Sequence, residues 1–171
     1  MSLFRDELKR RPGFAIGSLI VFVLVCQAAG GIGAVATAES VETWYQTLDK
    51  PAFTPPGWLF GPVWTLLYAL MGIAAWRVWM QLRRQPGNRV GRTALGVFAA
   101  QLAVNTSWSF VFFGQQQVLP ALVVIGVLWV LIAVTMALFF RMDRLAGWLL
   151  VPYLLWVSYA TAVNAGVWVL N

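Results

Sequence analysis

The sequence contains no histidine and only one cysteine, Cys26, among its 171 residues. Without histidine there is no imidazole to ligate a haem iron or to shuttle protons. A single cysteine cannot form an intramolecular disulfide. No metal-ligating cluster and no nucleophile–base pair stands out, so neither a metalloenzyme nor a conventional hydrolase is expected. The sequence predicts no obligatory cofactor.

Charge is also scarce, since 11% of the residues are charged and 60% are hydrophobic, with a mean hydropathy of +0.75. A soluble domain of this size carries more charge on its surface. Four stretches have no Asp, Glu, Lys or Arg at all, namely 12–38, 51–76, 93–140 and 145–171. A membrane-spanning helix needs about 20 mostly apolar residues. The third stretch has room for two such helices, and Gly114 and Pro120 mark a turn between them.

The sequence therefore predicts an all-α integral membrane protein, a five-transmembrane-helix bundle in one domain over residues 1–171. In hydrocarbon only helices and closed barrels satisfy the backbone. Barrel strands alternate apolar and polar residues, and the run 119–140 does not alternate. The predicted helices cover about 14–36, 57–80, 93–113, 118–140 and 146–169, and an ordered loop covers 37–56.

The net charge of +6 is explained by membrane topology rather than by a nucleic-acid partner. Eleven of the twelve basic residues precede the first predicted helix or lie at or between the second and third or the fourth and fifth. Only Lys50 lies on the opposite side, and Arg77 is close enough to the membrane edge to snorkel. By the positive-inside rule the N-terminus is cytoplasmic and the C-terminus outside, in a prokaryotic cell membrane.

The predicted loop between the first two helices has an unusual composition. Residues 44–58 include three prolines, two tryptophans, a tyrosine and a phenylalanine. This segment is too rich in proline for a regular helix and too apolar to be fully solvated. It is predicted to fold back as a lid over the outer mouth of the bundle. The alternative is a belt of aromatic residues at the membrane interface.

Aromatic and amide side chains recur at helical spacing on three predicted helices. The third carries Gln101, Asn105, Trp108, Ser109 and Phe112; the second carries Trp64 and Tyr68; the fifth carries Pro152, Trp156, Tyr159 or Ala160, and Asn164. These stripes predict a cavity for a large, flat, mostly apolar ligand, with hydrogen bonds from Tyr68, Gln101 and Asn105. The alternative is that the amides only hydrogen-bond one helix to another.

Small residues four apart allow close approach of membrane helices. Such pairs are Gly13/Gly17, Gly57/Gly61, Gly96/Ala100 and Ala99/Ala103. The third predicted helix thus has one small-residue face and one polar-aromatic face. This combination predicts a homodimer through the small-residue face, with the other face lining the cavity.

Three motifs occur in order along the chain. They are Trp44-Tyr45-x-x-Leu48-x-Lys50-Pro51-x-Phe53-x-Pro55-Pro56 followed by Phe60-Gly61-Pro62-Val63-Trp64-Thr65-x-x-Tyr68; Gln101-Leu102-x-x-Asn105-x-x-Trp108-Ser109-x-x-Phe112-Phe113; and Pro152-Tyr153-x-x-Trp156-x-x-Tyr159-Ala160-x-x-x-Asn164. In these motifs, and over nearly its whole length, the sequence resembles the tryptophan-rich sensory proteins, also called translocator proteins or peripheral-type benzodiazepine receptors.

The resemblance implies a membrane receptor or sensor that binds porphyrins such as protoporphyrin IX, and related flat apolar ligands, and regulates a tetrapyrrole or stress response. Transport of tetrapyrroles or other hydrophobic molecules, and light-dependent porphyrin breakdown, are the alternatives. Trp64 and Asn105 are expected to hydrogen-bond the ligand. The implied pocket comprises Tyr45, Trp64, Tyr68, Asn105, Trp108, Ser109, Trp156 and Ala160, to which the third-helix stripe adds Gln101.

One departure from the animal members concerns cholesterol. Their cholesterol motif, at the end of the last helix, requires a basic residue after a tyrosine. No basic residue follows Tyr153 or Tyr159 here. Cholesterol binding is therefore not expected.

Overall fold

The computed structural model describes residues 12–171. Within these residues, five helices are long and apolar enough to cross a membrane, which agrees with the predicted number. We refer to them as the first to fifth spans, and they cover Gly13–Glu42, Gly57–Arg84, Arg89–Gly114, Val118–Met142 and Arg144–Leu170.

Several spans consist of more than one helical element. The elements are Pro12–Glu42, Trp44–Thr47, the 3₁₀ turn Gly57–Leu59, Phe60–Arg84, Arg89–Ser109, the π-helical turn Phe110–Gly114, Val118–Met142, Arg144–Leu149 and Val151–Leu170. The short helix Trp44–Thr47 lies in the segment predicted as loop. Large apolar side chains are exposed along the spans, as expected of helices that face lipid rather than water; examples are Ile20, Leu24, Val123, Val130 and Leu155.

Three predicted boundaries were wrong by several residues, among them the end of the second helix, which was predicted near residue 80 and lies at Arg84. The first helix was predicted to end near residue 36, but it continues to Glu42. The third was predicted to begin near residue 93, but it begins at Arg89, where the Asn88 side chain accepts a hydrogen bond from the Gly91 amide and caps the helix. The predicted boundaries came from hydropathy, which indicates where a helix leaves the hydrocarbon. The helix itself can continue beyond that point until its backbone is capped.

The fifth span was predicted as one continuous helix, but it is interrupted at Leu150. The helix Arg144–Leu149 ends there and the helix Val151–Leu170 begins, with the Leu150 amide bonding to the Gly147 carbonyl at 3.1 Å. Pro152 has no N–H to continue the α-helical ladder, so the interruption falls just before it.

The spans form a ring in the order first, second, fifth, fourth, third. The first packs on the second and third, the third on the fourth, and the fourth on the fifth. The fifth closes the ring against the second mainly through Arg144–Leu149, and Val151–Leu170 touches the second span much less. The second and fifth spans therefore diverge beyond the interruption at Leu150.

Close approach of the first and second spans depends on glycine. A Cβ placed on Gly72 would lie 2.7 Å from the Val23 Cα, so only glycine allows this backbone contact. The predicted small-residue pairs do not serve this purpose inside the chain. A Cβ on Gly61 or Gly17, for example, would meet nothing within 4 Å.

A buried ion pair ties the second span to the turn between the fourth and fifth. The Arg77 guanidinium donates from Nε and Nη2 to the two Asp143 carboxylate oxygens, at 3.0 and 2.7 Å. Asp143 also accepts from the Ala146 amide at 2.9 Å, which caps the fifth span. The predicted snorkelling of Arg77 to the surface is therefore replaced by an internal partner, and its side chain is only 10% exposed.

This pairing sets the ionisation of Asp143, which lies outside the spans. Burial by itself raises the pKa of the carboxyl. The hydrogen bonds from Arg77 and the Ala146 amide, together with the charge of Arg77, outweigh that effect and hold the pKa below its ordinary value. The folded protein therefore favours the ionised carboxylate.

We predict that Asp143→Asn lowers the free energy of unfolding in detergent by about 2 kcal/mol at neutral pH, because it leaves the Arg77 charge buried without its counter-ion. A carboxyl with a lowered folded-state pKa adds stability above its ordinary pKa of about 4 and loses it as the pH falls through the folded-state pKa. Thermal melts from pH 7 to 3 should therefore show the variant and wild type converging below about pH 4. A gap as wide at pH 3 as at pH 7 would contradict the ion-pair explanation.

Candidate functional site

Four buried polar side chains form a hydrogen-bonded chain between the second, third and fifth spans. Tyr68 donates from Oη to Asn105 Oδ1 at 2.9 Å, and Asn105 Nδ2 donates to Tyr153 Oη at 2.5 Å. Tyr153 in turn donates to Gln101 Oε1 at 2.9 Å. We call these four residues the polar cluster. Polar groups at this depth need partners inside the protein, and here three spans supply them to one another.

The polar cluster leaves Asn105 with both ends of its amide engaged. The alternative prediction, that the amide hydrogen-bonds one helix to another, therefore describes the contacts of Asn105 in this structure. A ligand role for Asn105 stays a prediction. Gln101 differs, because its Nε2 is buried and has no hydrogen-bond partner among the described residues. The cluster therefore retains one unused donor.

Trp64 lies directly against the polar cluster. Its ring centroid is 5.5 Å from that of Tyr68 and 6.2 Å from that of Tyr153. Its side chain is half-buried. No acceptor for the Trp64 indole N–H is found within residues 12–171. Trp64 therefore presents both an aromatic face and a free donor next to the cluster.

A groove separates the second and fifth spans where they diverge. It has a volume of about 390 Å³ and is lined by Val63, Leu66, Leu67, Pro152, Leu155, Trp156 and Tyr159. Leu66 is 59% exposed and Leu155 is 64% exposed, so the groove opens toward lipid. The Trp156 Nε1 is buried without a hydrogen-bond partner in the described part of the chain.

The predicted inward face of the fifth span was right at Asn164, which is buried, but wrong by about one position at Pro152 and Trp156. The buried stripe is Tyr153, Val157, Asn164 and Val167. Trp156 and Tyr159 lie instead along the groove, Pro152 is exposed, and Ala160 is half-buried against the core. Tyr153 was missing from the predicted site although its spacing of four from Val157 and eleven from Asn164 could have placed it there.

A second aromatic group lies at the end of the third span, beneath the loop. Trp108 stacks on Phe112 with ring centroids 5.3 Å apart, and Tyr45 meets Phe113 edge-on at 5.6 Å. The Trp108 indole donates to Asn164 Oδ1 at 3.3 Å. Ser109 does not join this group, because its hydroxyl lies against Gly33 of the first span. Apart from Ser109 and Ala160, the predicted residues thus lie in or beside the polar cluster, in the groove or in this aromatic group.

The loop between the first two spans is fastened to the bundle at several points. Inside the loop itself, Lys50 donates from Nζ to the backbone carbonyls of Tyr45 and Leu48, at 2.8 and 2.7 Å. Pro51 is buried against Gly166 of the fifth span. The Asn171 side chain accepts from the Asp49 amide at 3.1 Å and donates to its carbonyl at 3.0 Å.

One further loop contact reaches the groove itself. Tyr159 donates from its hydroxyl to the Phe53 carbonyl, and the two rings lie 6.4 Å apart. Because Tyr159 also lines the groove, this hydrogen bond joins the loop to the groove wall.

The chemistry available here is that of binding. Among residues 12–171 no group of three or more His, Cys, Asp or Glu side chains could hold a metal ion. What the described site offers is aromatic surface and N–H donors in an apolar setting, which suits a flat ligand that carries hydrogen-bond acceptors.

Comparisons with known proteins agree with the resemblance found in the motifs. The model of the TspO/MBR family matches residues 22–169. The chain is 40% identical over 153 residues to the tryptophan-rich protein TspO of Archaeoglobus fulgidus, which covers 90% of this chain and 96% of that protein. It is 43% identical over 145 residues to the tryptophan-rich sensory protein of Cereibacter sphaeroides, 85% of each chain. It is 38% identical over 125 residues to the translocator protein of Homo sapiens, 73% of each.

We predict that Tyr159→Phe loosens the loop by removing the donor to the Phe53 carbonyl. One lost hydrogen bond of about 1 kcal/mol corresponds to roughly fivefold faster hydrogen exchange for amides in residues 49–54. Ser158→Ala is the matched control, since the neighbouring Ser158 hydroxyl accepts from Trp129 on the fourth span instead. Equal exchange rates in the two variants would show that Tyr159 does not hold the loop.

Proposed function

The chain belongs to the TspO/MBR family, and we propose that it is a membrane receptor or sensor that binds porphyrins and related flat apolar ligands inside the helix bundle. Binding would regulate a tetrapyrrole or stress response. The names of its relatives, among them a sensory protein and a translocator protein, support a membrane protein that handles a ligand.

The observation that carries the proposal is a pair of indole N–H groups that have no acceptor within residues 12–171. Trp64 lies beside the polar cluster, and Trp156 lies in the groove with a buried N–H. They are joined through Phe60, which is one turn from Trp64 and meets the Trp156 ring edge-on at 5.9 Å. An unpartnered buried N–H costs free energy, and a ligand acceptor would remove that cost.

The same residues suit a tetrapyrrole held without an iron ligand. The chain has no histidine, so a porphyrin would be bound by stacking on aromatic rings and by hydrogen bonds from indoles. The volume of the groove, about 390 Å³, is at the lower end of the range for ligand sites, so a porphyrin would also occupy space beneath the loop. Loosening of the loop would accompany its entry.

One half of the bundle has a densely packed interior, which favours a receptor over a transporter. Near the Arg77–Asp143 pair the interior is occupied by fully buried side chains such as Met71, Val78 and Phe139. The groove instead opens sideways to lipid. Liposome flux no faster than in protein-free vesicles would agree with a receptor, whereas faster flux would favour the transport alternative. A porphyrin product formed only with protein in the light would favour photochemical breakdown.

We predict that Trp64→Phe and Trp156→Phe each weaken protoporphyrin IX binding about tenfold, because each keeps an aromatic ring but loses one N–H donor. Affinity would be measured by quenching of tryptophan fluorescence. Trp129→Phe is the matched control, since Trp129 is 40% exposed on the fourth span and its N–H bonds to Ser158 at 2.8 Å. Unchanged affinity in both site variants would contradict the proposed pocket.

We also propose that the protein forms a homodimer through the third span. Its small residues Gly96, Ala99, Ala100 and Ala103 are all exposed in the single chain, which leaves this face available to a second copy. Ala99→Leu combined with Ala103→Leu is predicted to lower the dimer fraction by at least about tenfold in detergent, measured by sedimentation. Val123→Leu, on the lipid-facing side of the fourth span, serves as control. Equal dimer fractions would exclude this interface.

The proposed orientation places the N-terminus in the cytoplasm and the C-terminus outside, in a prokaryotic cell membrane. Its support is the charge distribution, because the described arginines lie at one edge of the bundle and Lys50 lies at the other. In this orientation the loop and the groove are nearer the outer leaflet.

A further inference from the structure

Four arginines at one end of the bundle have no carboxylate partner among residues 12–171. Arg89, Arg92, Arg141 and Arg144 are all exposed. The only carboxylate at this end of the described chain is Asp143, and both of its oxygens already accept from Arg77. None of the four forms an ion pair within residues 12–171.

The packing of the third and fourth spans brings these arginines together from two separate segments. Gly91 lies between Arg89 and Arg92, and Met142 lies between Arg141 and Arg144. A Cβ on Gly91 would be only 2.9 Å from the Met142 Cε, so the two turns are in direct contact. We call Arg89, Arg92, Arg141 and Arg144 the arginine cluster.

The arginine cluster stands at the boundary between headgroups and hydrocarbon. Trp148, one turn from Arg144, is 59% exposed and meets Phe140 edge-on with ring centroids 5.5 Å apart. Leu145, next to Arg144, is 48% exposed. Tryptophan at this depth is typical of the membrane interface, so apolar surface for acyl chains adjoins the guanidinium groups.

We propose that the arginine cluster is a binding site for the headgroup of an anionic phospholipid. One guanidinium group can donate two parallel hydrogen bonds to phosphate oxygens. Four arginines without a carboxylate partner in the described part of the chain carry positive charge that a lipid phosphate would neutralise. The acyl chains of the same lipid lie along Leu145 and Trp148. A zwitterionic lipid carries its own cation and gains less from this site. The inference does not depend on the ligand of the groove.

The experiment compares two double variants in which the same charge is removed. Arg89→Gln with Arg141→Gln takes one arginine from each half of the cluster. Arg83→Gln with Arg84→Gln is the matched control at the same end of the bundle. Arg83 lies elsewhere, because its guanidinium stacks 4.2 Å over the Phe14 ring of the first span. Full-length protein in neutral detergent would be titrated with phosphatidylglycerol or phosphatidylcholine, and retained lipid would be counted by native mass spectrometry.

Wild type is expected to retain phosphatidylglycerol in preference to phosphatidylcholine. Each arginine near an anionic headgroup contributes about fivefold, so the cluster variant should bind phosphatidylglycerol roughly 30-fold more weakly. The control variant should lose no more than about threefold. Protoporphyrin binding by the cluster variant should equal that of wild type, which separates loss of the lipid site from loss of the fold or of the groove.

Three results would overturn the proposal. Equal losses in both double variants would mean that the lipid responds to the general charge of this end and not to a site. Equal retention of both lipids by wild type would mean that the headgroup is not recognised. Displacement of phosphatidylglycerol by an equal concentration of inorganic phosphate would mean that the cluster binds free anions rather than lipid.

Discussion

The structure depends on one constraint, which is that polar groups within hydrocarbon must find partners inside the protein. The polar cluster meets it at the centre of the bundle, where Tyr68, Asn105, Tyr153 and Gln101 join three spans. The Arg77–Asp143 pair meets it at the end of the bundle. Packing one apolar helix on another in lipid brings no hydrophobic advantage. Interhelical hydrogen bonds and close backbone contacts therefore determine much of how the spans associate.

The groove follows from the way the fifth span satisfies the same constraint. Asp143 caps its first helix and holds it against the second span through Arg77, so the two spans are fixed at that end. At Leu150 the helix is interrupted ahead of Pro152, and beyond this point the fifth span leaves the second. The loop then closes over the far end through Tyr159 and Asn171. The ion pair at one end, the interruption at Leu150 and the attached loop together leave the groove open toward the exposed side chains of Leu66 and Leu155.

The sequence was sufficient to predict the spans, because a run of about 20 residues without charge has few other uses. It also predicted the inward stripe of the third span, where Gln101 and Asn105 are buried. In the fifth span the sequence predicted Trp156 rather than Tyr153 on the inward face. Both side chains are aromatic, and the rotation of the helix that selects between them is set by the neighbouring spans. The sequence could not show that Gly72 packs on the Val23 backbone whereas a Cβ on Gly61 would meet nothing within 4 Å. The four-residue spacing in fact favoured Gly61, which follows Gly57, and only the assembled bundle distinguishes the two glycines.

The hydrogen bonds within the polar cluster determine which side chains remain available to a ligand. Asn105 was expected to be a main ligand contact, yet its amide is engaged on both sides by tyrosines of two other spans. Removing it would leave two buried hydroxyls without partners, so loss of binding in an Asn105 variant would report on the fold as much as on the pocket. Trp64 Nε1, Trp156 Nε1 and Gln101 Nε2 are donors at the site that have no hydrogen-bond partner among residues 12–171. Under the proposed function these donors would favour molecules with acceptors on an aromatic or aliphatic body. Asn105, by contrast, hydrogen-bonds the second span to the fifth.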